Sequence, residues 1–142
     1  MFLTNMNNNS RNVEIIFIMK KEFMESYRKP TTDEIRIIRY LAEKANCRLG
    51  DSWENKLIVK PLTDMRIGPI TLSFTSEYTE KGCRFSASDC SFYDTDNIPV
   101  ALYLLVDEEG TPYELDMWKV DDSPINTIPS CDKFEDIPLL RG

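Results

Sequence analysis

The segment YELDMWKV, residues 113–120, carries the densest group of side chains that could do chemistry. On an extended strand Glu114 and Asp116 lie on one face, with Cα atoms about 6.6 Å apart. Two such carboxylates can act as general acid and base, as in glycoside hydrolysis, when their surroundings separate their pKa values. Trp118 shares that face and could form an apolar wall. A solvent-facing strand, with its acids paired to Lys or Arg across the sheet, explains the pattern more simply.

A surface that binds another protein is the third interpretation, and it rests on the uneven distribution of charge, which a solvated surface that keeps the protein soluble explains more simply. The net charge is −7, but residues 82–142 carry −9 while residues 1–81 carry +2. An acidic surface steers a basic partner into contact. The predicted partner surface consists of acidic residues and their immediate neighbours on the strand: Glu114, Asp116, Trp118, Lys119, Asp121 and Asp122, with Asp94 and Asp96 as secondary members.

Several common chemistries are excluded by residue type and spacing. The chain has no histidine, which removes Ser-His-Asp and Cys-His catalysis. Its four cysteines show no C-x-x-C spacing, and we predict that all four are reduced thiols. Asp94-x-Asp96 begins like a calcium loop, but Pro99 and Leu105 stand where Gly and Glu are required. We therefore predict no metal, no cofactor and no catalytic residue.

The composition also bears on partners and on localisation. Phosphate contacts need clustered Lys and Arg, so neither nucleic acid nor a membrane surface is a predicted partner. The apolar run in VEIIFIM, residues 13–19, is too short for a signal peptide or a membrane span. A cytoplasmic protein is the simplest prediction. The oligomeric state stays open.

One helix is predicted from clear start and spacing patterns. Thr31 and Glu34 have the spacing of a capping box, in which each side chain bonds the other residue's backbone N–H. Apolar residues then recur at helical intervals up to Ala45. The helix should run from about residue 32 to about residue 46 and cover one face of a sheet.

The rest of the chain is predicted to form strands. Extended segments are expected within residues 56–62, 64–76, 83–94, 99–106 and 113–120. PVALYLLV, residues 99–106, is apolar on both faces and is predicted to be the central strand, with YELDMWKV returning antiparallel to it. The predicted fold class is α+β, an antiparallel sheet of about five strands with one main helix packed on one face. Residues 1–18 are predicted to be a disordered leader, and residues 19–142 a single α+β domain.

Three segments together carry a resemblance to a known family: RKPTTDEIRIIRYLAEKA, FYDTDNIPVALYLLVDEEG and YELDMWKVDDSPI. They resemble a family of small bacterial single-domain proteins of uncharacterised function. Its pattern has a capped helix, a D-x-D-G-like turn before an apolar strand, and an E-L-D-x-W-K segment followed by S-P. The chain departs from it at Asn97, where the pattern favours Gly, and in DMRIGPI, residues 64–70, which lacks a glycine-rich form. The resemblance implies no particular activity.

Two functions follow as expectations. The first is a non-enzymatic protein-interaction module, in the form of an immunity-type inhibitor that presents its acidic face to a basic partner. The alternative is a small enzyme or ligand-binding domain that uses the carboxylates of Glu114 and Asp116. A concave pocket beside Glu114 would favour the alternative, and a flat or convex acidic patch would favour the inhibitor.

Overall fold

The computed structural model describes residues 26–75 and 87–137, so the predicted leader of residues 1–18 lies outside the described residues. The elements in chain order are α1 (Thr32–Lys44), α2 (Trp53–Lys56), β1 (Leu57–Pro61), β2 (Ile70–Phe74), β3 (Ala87–Tyr93), β4 (Pro99–Val106), β5 (Pro112–Lys119) and a short 3-10 helix (Cys131–Lys133).

Helix α1 begins with the predicted capping box, which is confirmed. The Thr31 hydroxyl accepts the Glu34 N–H at 3.1 Å, and the Glu34 carboxylate accepts the Thr31 N–H at 2.8 Å. Arg28 donates two further hydrogen bonds to the same carboxylate, at 2.7 and 2.8 Å. The helix ends at Lys44, slightly earlier than predicted, and Asn46 follows with a φ of 54°. A left-handed residue there stops the helical hydrogen bonding.

The five strands form one antiparallel sheet in the order β1-β2-β5-β4-β3. Strand β5 is therefore the middle strand, and the prediction that residues 99–106 form the central strand is wrong. β4 lies next to it and is covered on both faces, since the outward-facing Ala101 is buried and Leu105 is half-buried. Apolar residues on both faces of a strand show that both faces are covered. They do not show where the strand lies in the sheet.

Helix α1 packs on one face of this sheet, which confirms the predicted α+β class. Its buried residues Ile37, Ile38 and Leu41 belong to one hydrophobic core that includes buried residues from all five strands. The C-terminal segment completes the core through Phe134, whose ring lies 5.1 Å from that of Tyr40. The described helices include none that is both long enough and apolar enough to cross a membrane.

The cysteines depart from the predicted state at one position. Cys47 is disulfide-bonded, so the prediction of four reduced thiols is wrong there. Cys90 and Cys131 are free. Burial raises the pKa of the Cys90 thiol to about 12, which keeps it protonated and unreactive at neutral pH.

Candidate functional site

Strand β5 separates its side chains between the core and the outer face of the sheet. Leu115, Met117 and Lys119 are buried, whereas Glu114 and Asp116 are half-buried on the opposite face. Trp118, on that outer face, is 47% exposed.

A β-bulge changes the start of the strand. Leu105 pairs with Glu114 but Val106 pairs with Pro112, so Tyr113 is an extra residue on β5. Strand alternation alone would place Tyr113 on the face of Leu115, but it is exposed because the bulge turns it outward.

The residues paired with the two carboxylates on the outer face of β5 are uncharged. Tyr103 lies opposite Asp116, and Leu105 and Thr71 lie opposite Glu114. Within residues 26–75 and 87–137 neither carboxylate forms an ion pair. The interpretation in which these acids pair with Lys or Arg across the sheet therefore does not hold, and their charge stays uncompensated.

Two more acids follow in the turn after β5. The Trp118 indole N–H donates a hydrogen bond to the Asp122 carboxylate at 3.0 Å, which fixes the ring beside a negative charge. Asp121 accepts hydrogen bonds from the Ser123 hydroxyl at 2.6 Å and from its N–H at 3.0 Å. These two bonds lower the pKa of the Asp121 carboxyl, so that it stays ionised. We call Glu114, Asp116, Asp121, Asp122 and Trp118 together the acidic surface.

Lys119 lies inside the molecule and not on that surface, with 3% of the residue exposed. Its ammonium group donates to the carboxylates of Asp94 at 2.9 Å and Asp96 at 2.6 Å, and to the Pro124 carbonyl at 3.2 Å. Burial alone would lower the pKa of Lys119, but the hydrogen bonds to the two aspartates outweigh it and raise the pKa. The side chain is thus a fully paired cation.

Asp94 is the buried centre of this cluster. Besides the lysine, its carboxylate accepts the N–H groups of Thr95 at 2.7 Å, Asn126 at 2.7 Å and Thr127 at 3.4 Å. Burial would raise the pKa of Asp94, but the hydrogen bonds from Asn126 and Lys119 reverse the direction and lower it. We call Lys119, Asp94 and Asp96 the ionic clasp, because it ties the turn before β4 to the end of β5 and to residues 124–127.

The clasp shows which predicted site residues the fold uses internally. Lys119 and Asp94 are buried, and Asp96 is exposed but paired. The alternation of Leu115, Met117 and Lys119 already places the lysine on the core face. Together with the two aspartates before β4, this alternation could have predicted the clasp.

A cleft opens beside the acidic surface, where β2 leaves β5. The two strands pair only at Ile70–Leu115 and Thr71–Glu114, although β5 continues to Lys119. A depression of about 150 Å³ lies between β5 and the loop of residues 62–69. Its apolar lining includes Met65, Ile67, Pro69, Met117, Trp118 and Ile125.

A second depression, of about 190 Å³, lies on the helix side of the same gap and shares Ile67, Gly68 and Met117 with the first. The lining of neither depression includes Glu114 or Asp116. We call the first depression the β5 cleft.

Comparison with known proteins places the chain in a family. The sequence profile of the family described as "Domain of unknown function (DUF6984)" matches residues 27–129, which include α1, all five strands and the ionic clasp. The chain belongs to this family. No curated protein and no solved structure matches the chain significantly.

Proposed function

We propose that this protein is a non-enzymatic interaction module that binds a basic protein through the acidic surface. The observation that carries the proposal is the lack of any ion pair at Glu114, Asp116, Asp121 and Asp122 in the described structure. The nearest lysine in sequence, Lys119, already forms ion pairs with Asp94 and Asp96 in the ionic clasp. The negative charge of this region is therefore available to a partner.

Trp118 adds a second property of binding sites to the charge. Exposed tryptophan is costly in water and is over-represented among the residues that dominate binding energy. Its bond to Asp122 holds the ring in one orientation, so less side-chain entropy is lost when a partner covers it. A fixed aromatic group within an acidic rim suits a basic, partly apolar partner surface.

An immunity-type inhibitor, which protects a bacterial cell by covering a basic toxin, is the form of module we propose. An acidic protein that binds a basic enzyme associates rapidly through electrostatic steering. The alternative, an enzyme that uses the Glu114 and Asp116 carboxylates, is less well supported because both carboxylates lie outside the two depressions next to the site.

Affinity capture from the source organism, followed by kinetics with the purified partner, tests the proposal. The double variant Glu114→Gln, Asp116→Asn should slow association at least fivefold in low salt and flatten its salt dependence. Trp118→Ala should instead speed dissociation. The matched control is Glu108→Gln, an exposed acid in the β4–β5 turn, outside the acidic surface.

Two results would count against the proposal. Unchanged association of the double variant with the captured partner would remove the acidic surface from binding. A hydrolytic activity of the wild-type protein that disappears in the double variant would replace the module with the enzyme. A toxin gene next to the gene for this protein would support the immunity form.

A further inference from the structure

The hydrogen-bond pattern shows which backbone N–H and C=O groups of β5 point towards β4 and which point towards β2. The Val120 N–H donates to the Pro99 carbonyl at 3.1 Å. Antiparallel strands exchange hydrogen bonds at every second residue pair. The backbone groups of Trp118 and Asp116 therefore point to β4, and those of Met117 and Lys119 point to the side of β2.

β2 does not reach these groups. Continuing the register would bring Gly68 opposite Met117, but the pairing with β5 ends at Ile70, and the Pro69 carbonyl accepts the Leu62 N–H at 2.9 Å on the side of β1. In the described structure, the N–H and C=O of Met117 and the N–H of Lys119 have no hydrogen-bond partner. A short strand edge thus faces the β5 cleft in the middle of the sheet.

We propose that the partner inserts an extended, basic segment into the β5 cleft as an added strand beside Met117–Lys119. This inference rests on the proposed function and names the way in which the partner binds. Free N–H and C=O groups on one edge are complementary to an extended peptide and to few other ligands. The apolar side chains of Met65 and Ile67 would cover one side chain of the segment.

The charge of the inserted segment follows from the rim of the cleft. Asp122 lines the cleft. Asp116 and Asp121 directly precede two lining residues, Met117 and Asp122, in the sequence. None of the three forms an ion pair within residues 26–75 and 87–137. Lysine or arginine side chains that alternate with apolar ones would place charge at the rim and apolar groups in the cleft.

Amide hydrogen exchange of the full chain tests the strand edge directly. In the free protein, Met117 and Lys119 amides should exchange at least tenfold faster than Asp116 and Trp118 amides, which bond to β4. The probe is an acetylated, amidated hexapeptide of alternating lysine and valine. Its binding should slow exchange at Met117 and Lys119 at least tenfold and leave Asp116 unchanged.

Two control peptides separate charge from strand addition. The same sequence with every peptide nitrogen methylated keeps the lysine and valine side chains but has no peptide N–H donors, and it should bind at least tenfold more weakly. Glutamate in place of lysine should abolish binding.

A pair of protein variants localises the contact. Met65→Lys places a cation in the cleft lining and should weaken binding of the lysine–valine peptide at least tenfold. Leu62→Lys makes the same charge change at another exposed apolar residue, outside that lining, and should have under a threefold effect.

The outcomes distinguish this inference from the proposed function. If the methylated peptide binds as well as the probe, and Met117 gains no protection, the added strand is overturned while the acidic surface stands. No binding of the probe at millimolar concentration, or equal effects of the two lysine variants, would also overturn it. The capture experiment then decides the proposed function by itself.

Discussion

The acids around helix α1 and the acids of the acidic surface differ in what neutralises them. Near the helix, Glu34 is held by Arg28 at 2.7 Å, and Glu54 by Arg39 at 2.6 Å. On the acidic surface no carboxylate forms an ion pair in the described structure. Carboxylates near the helix therefore form ion pairs within the fold, whereas those of the acidic surface keep an unpaired negative charge.

This difference teaches that pairing, more than composition, marks the surface available for binding. An acid with a hydrogen-bonded cation projects little field into solvent, and removing it costs stability. An unpaired acid contributes its whole charge to the surface potential and little to the fold. Substitutions in the two classes should thus separate loss of stability from loss of binding.

The largest loss of stability is expected at Asp94, the most buried of the paired acids. All four groups that contact its carboxylate are donors, so an amide nitrogen in Asp94→Asn meets donors only. We expect a loss of about 3 kcal/mol in the free energy of unfolding by urea. Asp96→Asn, at an exposed acid, should cost less than about 1 kcal/mol. Equal losses at both positions would show that burial does not set the strength of the clasp.

The dependence of stability on pH should follow the same residue. The pKa of Asp94 is lowered in the folded protein, so its contribution is complete above the ordinary aspartate value of about 3.9. The contribution is lost as the pH falls from there through the folded-state pKa. Unfolding measured from pH 6 to pH 2 should show a shallower acid loss in Asp94→Asn than in wild type. Parallel curves would contradict this assignment.

A smaller loss is expected at the helix cap. Thr31→Ala removes the side-chain acceptor of the Glu34 N–H and should cost about 1 kcal/mol by urea unfolding. Thr32→Ala is the matched control, because Thr32 is exposed in the first turn and its replacement should change stability by less than about 0.5 kcal/mol. The reverse order would mean that Thr32 caps the helix.

The smallest effect on stability is expected on the acidic surface. Glu114→Gln combined with Asp116→Asn should change the free energy of unfolding by less than about 0.5 kcal/mol, with a slight gain from relieved repulsion. Thermal melts of this variant beside Asp94→Asn make the comparison direct. A large loss would show that these carboxylates have structural partners and would cancel the contrast between the two regions.

Local patterns predicted the elements of this fold well, and the reasons are physical. The capping box needs only residues three apart, and the alternation of Ile70, Leu72 and Phe74 needs only one covered face of a sheet. Strand order depends instead on contacts between distant segments. For that reason the charged segment YELDMWKV was not predicted as the middle strand. A middle strand can carry two acids when one face of the sheet is open, as the outer face of β5 is.

The candidate site was predicted in part for the same reason. The positions of Glu114, Asp116 and Trp118 on one face follow from strand alternation alone. The burial of Lys119 requires two aspartates from a turn about 25 residues earlier, and the exposure of Tyr113 requires a bulge that alternation does not encode. The β5 cleft arises where two strands part, which no local pattern shows.

The ionic clasp also bears on the entropy of binding. It joins the turn between β3 and β4 to the last residue of β5, and so it closes the open end of the β4–β5 hairpin. Hairpin ends fray when nothing holds them, and a frayed strand must be ordered again before a peptide can pair with it. With Lys119 anchored at three points, the unpaired edge keeps its extended shape in the free protein. An incoming segment then bears the ordering cost of one chain instead of two.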